Sequence, residues 1–285
     1  MPLLPPVLTA ADAQLDRLRD SARRHVTGPE GERIHWAEWG EGPPLVMLHG
    51  AYGSWQHFTR QIEDVARDYR VLIPDLPGYG RSDLPADLSV VHIGRSLAAA
   101  LDELIPGAPY RLLGFSFGGA IAGRLLVEQP GRQSHTLLAA PAGIGASAAP
   151  PMQGVRARQG RALEQALRAN LASIMFADPE KITDQALRIQ YGCSMAARMR
   201  VERVDWGLGL SVAVPGYRGR LTGLWAERDA FTLAGETPDR PTRFRGWNPA
   251  AAVHVLPGTG HWMQYENADA FNALLRGAMR DPEGG

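Results

Sequence analysis

The chain has 285 residues, 45% of them hydrophobic, enough for one large α/β domain or two small ones; its single cysteine, Cys193, excludes a disulfide-stapled mini-protein. Thirty basic residues balance 30 acidic ones, so the chain lacks the electrostatic footprint of a nucleic-acid binder. No apolar run approaches the roughly 20 residues of a membrane span, and MPLLPPVLTAADAQ lacks the positive start of a signal peptide, so the expected setting is the cytoplasm.

Residues 9–20 place apolar positions at helical spacing behind a Thr9 cap, which predicts a short helix within an N-terminal extension, residues 1–22. RHVTGPEGERIHWAEW then reads as a hairpin around the turn-rich GPEGE. Continuous apolar runs follow at 45–50, 71–76, 110–116 and 135–140, with helices expected over Trp55–Asp68, Val91–Leu104 and Gly118–Gln129. Strands without polar alternation are covered on both faces, so the sheet should be parallel. The rhythm breaks after Ala140. Roughly 80 residues separate it from the next strand run, RLTGLWAE, which is too long for a loop and predicts a helical cap, residues 141–217. A strand at 253–258, a helix over Ala268–Arg280 and a soft DPEGG tail close the chain. The core domain is therefore expected from 23–140 and 218–285, an α/β fold with helices on both faces of the sheet.

Gly114-Phe115-Ser116-Phe117-Gly118 falls where a buried strand ends and a small-residue helix begins, a setting that forces a serine onto a sharp exposed bend. A serine hydroxyl needs a base, and the base an orienting carboxylate. His261, beyond the last strand, and Asp229, beyond the preceding one, supply both in the order Ser116, Asp229, His261. Glu227 and Asp75 are the weaker rivals for the acid. The oxyanion of acyl transfer calls for backbone donors, expected from Phe117 and from Ala51, with Tyr52 beside it. His49 is read as a loop-ordering residue and Cys193 as a packed one. Tyr52, Trp55, Phe115, Trp262 and Met263 cluster in these loops and are expected to contribute to an apolar substrate pocket. No His, Cys or carboxylate cluster has metal-ligand spacing.

Taken together, LVMLHGAYGSW, VLIPDLPGYGRSD, LLGFSFGGAIA, LWAERD and PGTGHWMQYENADAFN resemble the α/β-hydrolase superfamily over residues 31–280. The resemblance implies an α/β-hydrolase fold: an eight-stranded, mostly parallel sheet with strand 2 antiparallel and a helical cap after strand 6. It also implies no cofactor and a small-molecule substrate; a homodimer stays open. GHWMQYENADAFN looks most like the hydrolases of meta-cleavage products, which cut a carbon–carbon bond in dienoic keto acids. Those enzymes carry Asn where this chain has Phe115, and a cap arginine where the nearest alignment gives Gln190, with Arg188 two residues earlier. The elbow also resembles cofactor-free haloperoxidase-like esterases. Three readings follow: a serine hydrolase of small apolar or aromatic esters or thioesters, a C–C hydrolase, and a non-catalytic ligand-binding or accessory protein on the same fold.

Overall fold

The apolar runs become the inner strands of one sheet. A computed structural model describes residues 4–144, 150–207, 209–232 and 240–281. It forms β1 (Arg23–Thr27), β2 (Ile34–Trp39), β3 (Pro44–Leu48), β4 (Arg70–Pro74), β5 (Tyr110–Phe115), β6 (Gln133–Ala139), β7 (Arg220–Ala226) and β8 (Ala252–Leu256). The strand order is β1-β2-β4-β3-β5-β6-β7-β8. The hairpin pairs β1 with β2, His25 facing Trp36, and β2 runs antiparallel to β4. From β4 to β8 every pairing is parallel. This is the eight-stranded, mostly parallel sheet of the α/β-hydrolase fold.

Alternation along a strand divides the core in two. Leu45 and Met47 of β3 face one layer with Phe271 and Leu275 of α11 (Ala268–Met279). Val46 and Leu48 face the other, with Ile93 and Leu97 of α4 (Val90–Leu104) and Leu125 of α5 (Phe117–Glu128). The Ser89 hydroxyl caps α4 by accepting the His92 N–H at 3.0 Å. The helix expected over Trp55–Asp68 is instead a 3-10 turn, Trp55–Phe58, followed by a single helical turn, α3 (Ile62–Val65). Trp55, Phe58, Ile62 and Val65 are all buried, and the Gln61 amide donates to the Gln264 carbonyl at 2.8 Å.

From residue 4 the N-terminal extension is packed, residues 1–3 lying outside the described residues. α1 (Pro6–Thr9) lies against α7 (Asp184–Ala196), and α2 (Ala13–Ser21) buries Leu15 and Leu18. Its cap is Asp12 rather than Thr9: Asp12 accepts the Leu15 N–H, while the Thr9 hydroxyl turns back to the Pro6 carbonyl.

Between β6 and β7 run α6 (Gly160–Asn170), a π-helical turn (Leu171–Met175), α7 (Asp184–Ala196), a 3-10 turn (Val201–Arg203) and α8 (Gly209–Gly216). The expected cap over 141–217 does not extend to its end. α8 packs on α5, Leu210 filling the space above Gly123, and shares a core with Leu125 in the layer flanking the sheet. Its apolar Leu210, Ala213 and Val214 at helical spacing explain that placement. Residues 145–149, at the opening of the expected cap, and 282–285, most of the soft tail, lie outside the described residues. A further helix, α9 (Arg240–Trp247), precedes β8, and a short α10 (Met263–Glu266) precedes α11. Among the described residues no helix is long and apolar enough to cross a membrane.

Candidate active site

Ser116 stands between β5 and α5 at φ 53°, ψ −117°, a conformation that costs an L-residue energy. The motif glycines make the bend feasible by close approach: a Cβ on Gly118 would lie 2.3 Å from the Leu48 carbonyl oxygen, and one on Gly114 would lie 2.7 Å from the Ala122 Cβ. Although Ser116 occupies the N-cap position of α5, its hydroxyl makes no cap hydrogen bond. It faces His261 instead, Oγ lying 3.0 Å from Nε2. His261 Nδ1 lies 2.9 Å from Asp229 Oδ2, and Asp229 Oδ1 accepts the Phe231 N–H at 2.9 Å. All three groups leave the carboxyl ends of parallel strands, which gathers them at one rim of the sheet.

Asp229 is buried. Burial alone would raise its carboxyl, but His261, as charge and as hydrogen-bond donor, together with the Phe231 amide and the Arg240 guanidinium, holds it below its ordinary value. An ionised Asp229 fixes the proton of a neutral His261 on Nδ1. The Nε2 lone pair is then free to accept the Ser116 O–H. The rival acids are engaged elsewhere. Glu227 accepts the Gly258 N–H, and Asp75 accepts the Arg81 N–H while Gly80 packs on its carboxyl. Cys193 is buried against Ser54, and burial pushes its thiol up to about 12.

The amides of Phe117, at the first position of α5, and of Ala51 donate to no protein acceptor among the described residues. Both residues border the cavity beside Ser116, and the N-terminal end of α5 adds its positive dipole there. His49 holds the Ala51 loop: its Nδ1–H donates to the Gly50 carbonyl at 2.7 Å, and its Nε2 accepts the Leu76 N–H at 2.9 Å. Tyr52, next in that loop, and Ala140, after β6, also have positive φ, 53° and 41°. With Ser116 they are the described non-glycine residues so strained, and all three border the site.

Two pockets meet at Ser116 and His261. The first, of about 110 Å³, is walled by Phe115, His57 and Phe231 and roofed by Leu171, Ile174 and Met175 of the π turn. The second, of about 440 Å³, extends past Phe117 toward Trp206 and Arg240. Of the expected pocket residues, Tyr52, Phe115 and Gln190 line the first. Trp55, Trp262, Met263 and Arg188 line neither. Trp55 tilts against Trp39 in the core at 5.6 Å. Trp262 stacks on Tyr265 at 4.4 Å and donates its indole N–H to the His57 carbonyl, because α10 begins one residue later and turns both Trp262 and Met263 behind the His261 loop. Arg188 reaches away from the site, donating to the Val7 carbonyl and the Asp12 carboxylate.

The sequence gives no cue for several wall residues. His57 reads as one position of a helix, and the π turn as a continuation of another. Among the described residues no group of three or more His, Cys, Asp or Glu is placed to hold a metal ion.

The model of the alpha/beta hydrolase family matches residues 45–274, spanning all three members of the hydrogen-bonded chain. The chain belongs to the alpha/beta hydrolase family. This hydrolase is 30% identical over 274 residues to the 2-hydroxy-6-oxononadienedioate/2-hydroxy-6-oxononatrienedioate hydrolase of Cupriavidus pinatubonensis, covering 88% of this chain and 93% of that one. It is 29% identical over 263 residues to the 2-hydroxy-6-oxo-6-phenylhexa-2,4-dienoate hydrolase of Burkholderia cepacia, covering 85% and 89%. In fold it is similar to the esterase RhEst1 of Rhodococcus sp. ECU1013, with a TM-score of 0.75, 20% identity and coverage of 90% and 98%. It is also similar to a mutant of the meta-cleavage product hydrolase CumD of Pseudomonas fluorescens IP01, at 0.71, 20%, 88% and 95%. As an alpha/beta hydrolase, the chain is an enzyme acting on a small-molecule substrate.

Proposed function

We propose that this hydrolase cleaves small carboxylic esters or thioesters with apolar or aromatic groups through an acyl-enzyme on Ser116. The observation that carries this reading is the unbroken chain from the Ser116 hydroxyl through His261 to the buried Asp229, beside a first pocket whose lining includes no lysine or arginine among the described residues. Ser116 Oγ attacks the carbonyl carbon as its proton passes to His261 Nε2, and the Ala51 and Phe117 amides receive the oxyanion. His261 then protonates the departing alcohol or thiol. In the second half it accepts a proton from water, whose oxygen attacks the acyl carbon and releases the acid, returning the proton to Ser116. Asp229 stays ionised throughout. The helices α6 and α7, as a cap, select what enters the first pocket.

The C–C reading draws support from the relatives named as hydrolases of oxo-dienoates. Such substrates carry a carboxylate that calls for a cation. Here Gln190 is neutral and bonded to Ser194, Arg188 is committed to the N-terminal segment, and the Arg240 guanidinium, in the second pocket, donates to the Phe231 carbonyl. The test compares p-nitrophenyl acetate, butyrate and benzoate with a yellow phenylhexadienoate, on wild type and Ser116→Ala, with fluorophosphonate labelling of Ser116. Ester turnover and labelling that vanish in Ser116→Ala, with slow or absent bleaching of the dienoate, are expected. Bleaching at a kcat/KM above that of every ester would overturn the ester reading in favour of the C–C one.

A further inference from the structure

His57 is 2% exposed and lies on the wall of the first pocket. Three rings enclose it: Phe115 at 5.8 Å, Trp262 at 5.2 Å and His49 at 6.1 Å. Among the described residues neither ring nitrogen makes a hydrogen bond, and Nδ1 is fully buried without a partner. Unpaired buried polar groups are rare in folded proteins and call for an explanation. The mechanism above does not use this imidazole.

The two nitrogens differ in surroundings. A Cβ on Gly53 would lie 2.5 Å from Nδ1 and 2.4 Å from Cε1, so that edge is sealed against the Gly53 backbone, and only glycine admits the ring. Nε2 is the nitrogen left to the pocket. The ring is neutral, because burial, and then the neighbouring His49 and His261, hold it well below the ordinary histidine value. A neutral imidazole carries one N–H, and an orphaned buried N–H is rarer than an orphaned acceptor. The sealed Nδ1 therefore holds the lone pair and Nε2 the proton.

We propose that the Nε2–H of His57 donates to a neutral oxygen of whatever part of the substrate lodges in the first pocket, so that this pocket selects a hydroxyl, ether or keto group over hydrocarbon of the same size. A carboxylate is disfavoured there, since the ring carries no charge and Glu202 borders the same pocket. The inference rests on the proposed function only in taking the first pocket as a substrate pocket, and not on which bond is cut.

Phenol and toluene, equal in size and differing in one oxygen, test it without turnover. Titrations of wild type followed by NMR should give a phenol dissociation constant that rises at least tenfold in His57→Leu, while that of toluene changes less than threefold. His57→Gln, which restores a donor, should recover phenol binding. In the wild type itself, saturating phenol should shift the His57 Nε2–H resonance downfield, a measurement that stands even if His57→Leu does not fold. Equal changes for the two ligands in a folded variant, or an Nε2–H resonance that phenol leaves in place, would overturn the inference. Failure of the ester panel alongside a phenol-selective His57 would count against the ester reading alone.

Discussion

The Glu266 carboxylate accepts the backbone N–H of Gly260, the residue before His261. The same two oxygens accept the N–H of Ala177 at 3.0 and 3.2 Å and of Asp178 at 2.9 Å, just beyond the π turn that roofs the first pocket. The Trp262 N–H adds a bond to the Met175 carbonyl at 2.8 Å. One buried carboxylate thus joins the loop of the base to the segment that shapes the pocket. Gly260 is what lets them touch, since a Cβ there would lie 2.4 Å from the Ala177 nitrogen.

Removing that carboxylate should loosen both partners together. Glu266→Ala removes the acceptor of three amides, that of Gly260 buried and those of Ala177 and Asp178 partly so, and should cost about 3 kcal/mol in urea unfolding. The His261 loop then samples misaligned positions, so kcat for a p-nitrophenyl ester should fall about tenfold. Glu266→Gln keeps one oxygen acceptor and should recover part of both. Parallel unfolding curves and steady-state kinetics on the two variants check this.

Asp229→Asn should separate orientation from folding. The carboxamide fits the site, but its N–H₂ can face His261 Nδ1 and hold the lone pair there, leaving Nε2 protonated and unable to accept the Ser116 proton. Turnover should fall roughly 10⁴-fold. Labelling of Ser116 by a fluorophosphonate should slow in proportion, while the fold, followed by circular dichroism, is retained.

The hydrogen-bonded triad was readable because each member stands where an apolar run stops. LLGFS and LWAERD carry buried strands, and VHVLPGTGH the largely exposed edge strand β8, to their carboxyl ends, and parallel strands bring those ends to one edge. The pocket walls were not, since a residue's place in sequence does not tell which way its side chain turns. Trp262 and Arg188 stand near the right elements and point away from the cavity, one held by Tyr265 and His57, the other by Asp12. α8 and α9 escaped for a related reason. One is only eight residues long and carries Pro215, and the other buries little beyond Phe244 and Arg240, so neither sustains an apolar stripe over several turns as the 15-residue α4 does.

Stability should fall on mild acidification, and His49 sets much of the slope. Burial lowers its imidazole to about 4, against a smaller opposing pull from the Gly50 carbonyl. Protonation would put a second N–H against the Leu76 amide, which Nε2 now accepts. The folded value lies below the unfolded one, near 6.5, so the unfolded chain binds more protons between them. Stability is therefore full above about pH 6.5 and declines toward pH 4, by about 3 kcal/mol for this residue. His57 acts in the same direction. Urea unfolding from pH 4.5 to 8 should show the decline, and His49→Gln should flatten it; a level profile in the wild type would contradict the assignment.

Ser116 holds its hydroxyl in place at the expense of backbone strain, which can be measured by removing one without the other. Glycine tolerates φ 53° and alanine does not. Both Ser116→Gly and Ser116→Ala should abolish ester turnover, because each lacks the nucleophile. Only Ser116→Gly also relieves the bend, by about 1 kcal/mol, enough to raise the thermal midpoint of a chain this size by roughly 2–4 °C. Ser116→Ala should melt near the wild type. A midpoint for Ser116→Gly at or below that of Ser116→Ala would mean that the strand–helix bend stores no strain at this residue, and that the hydroxyl is presented by the tight glycine packing around it instead.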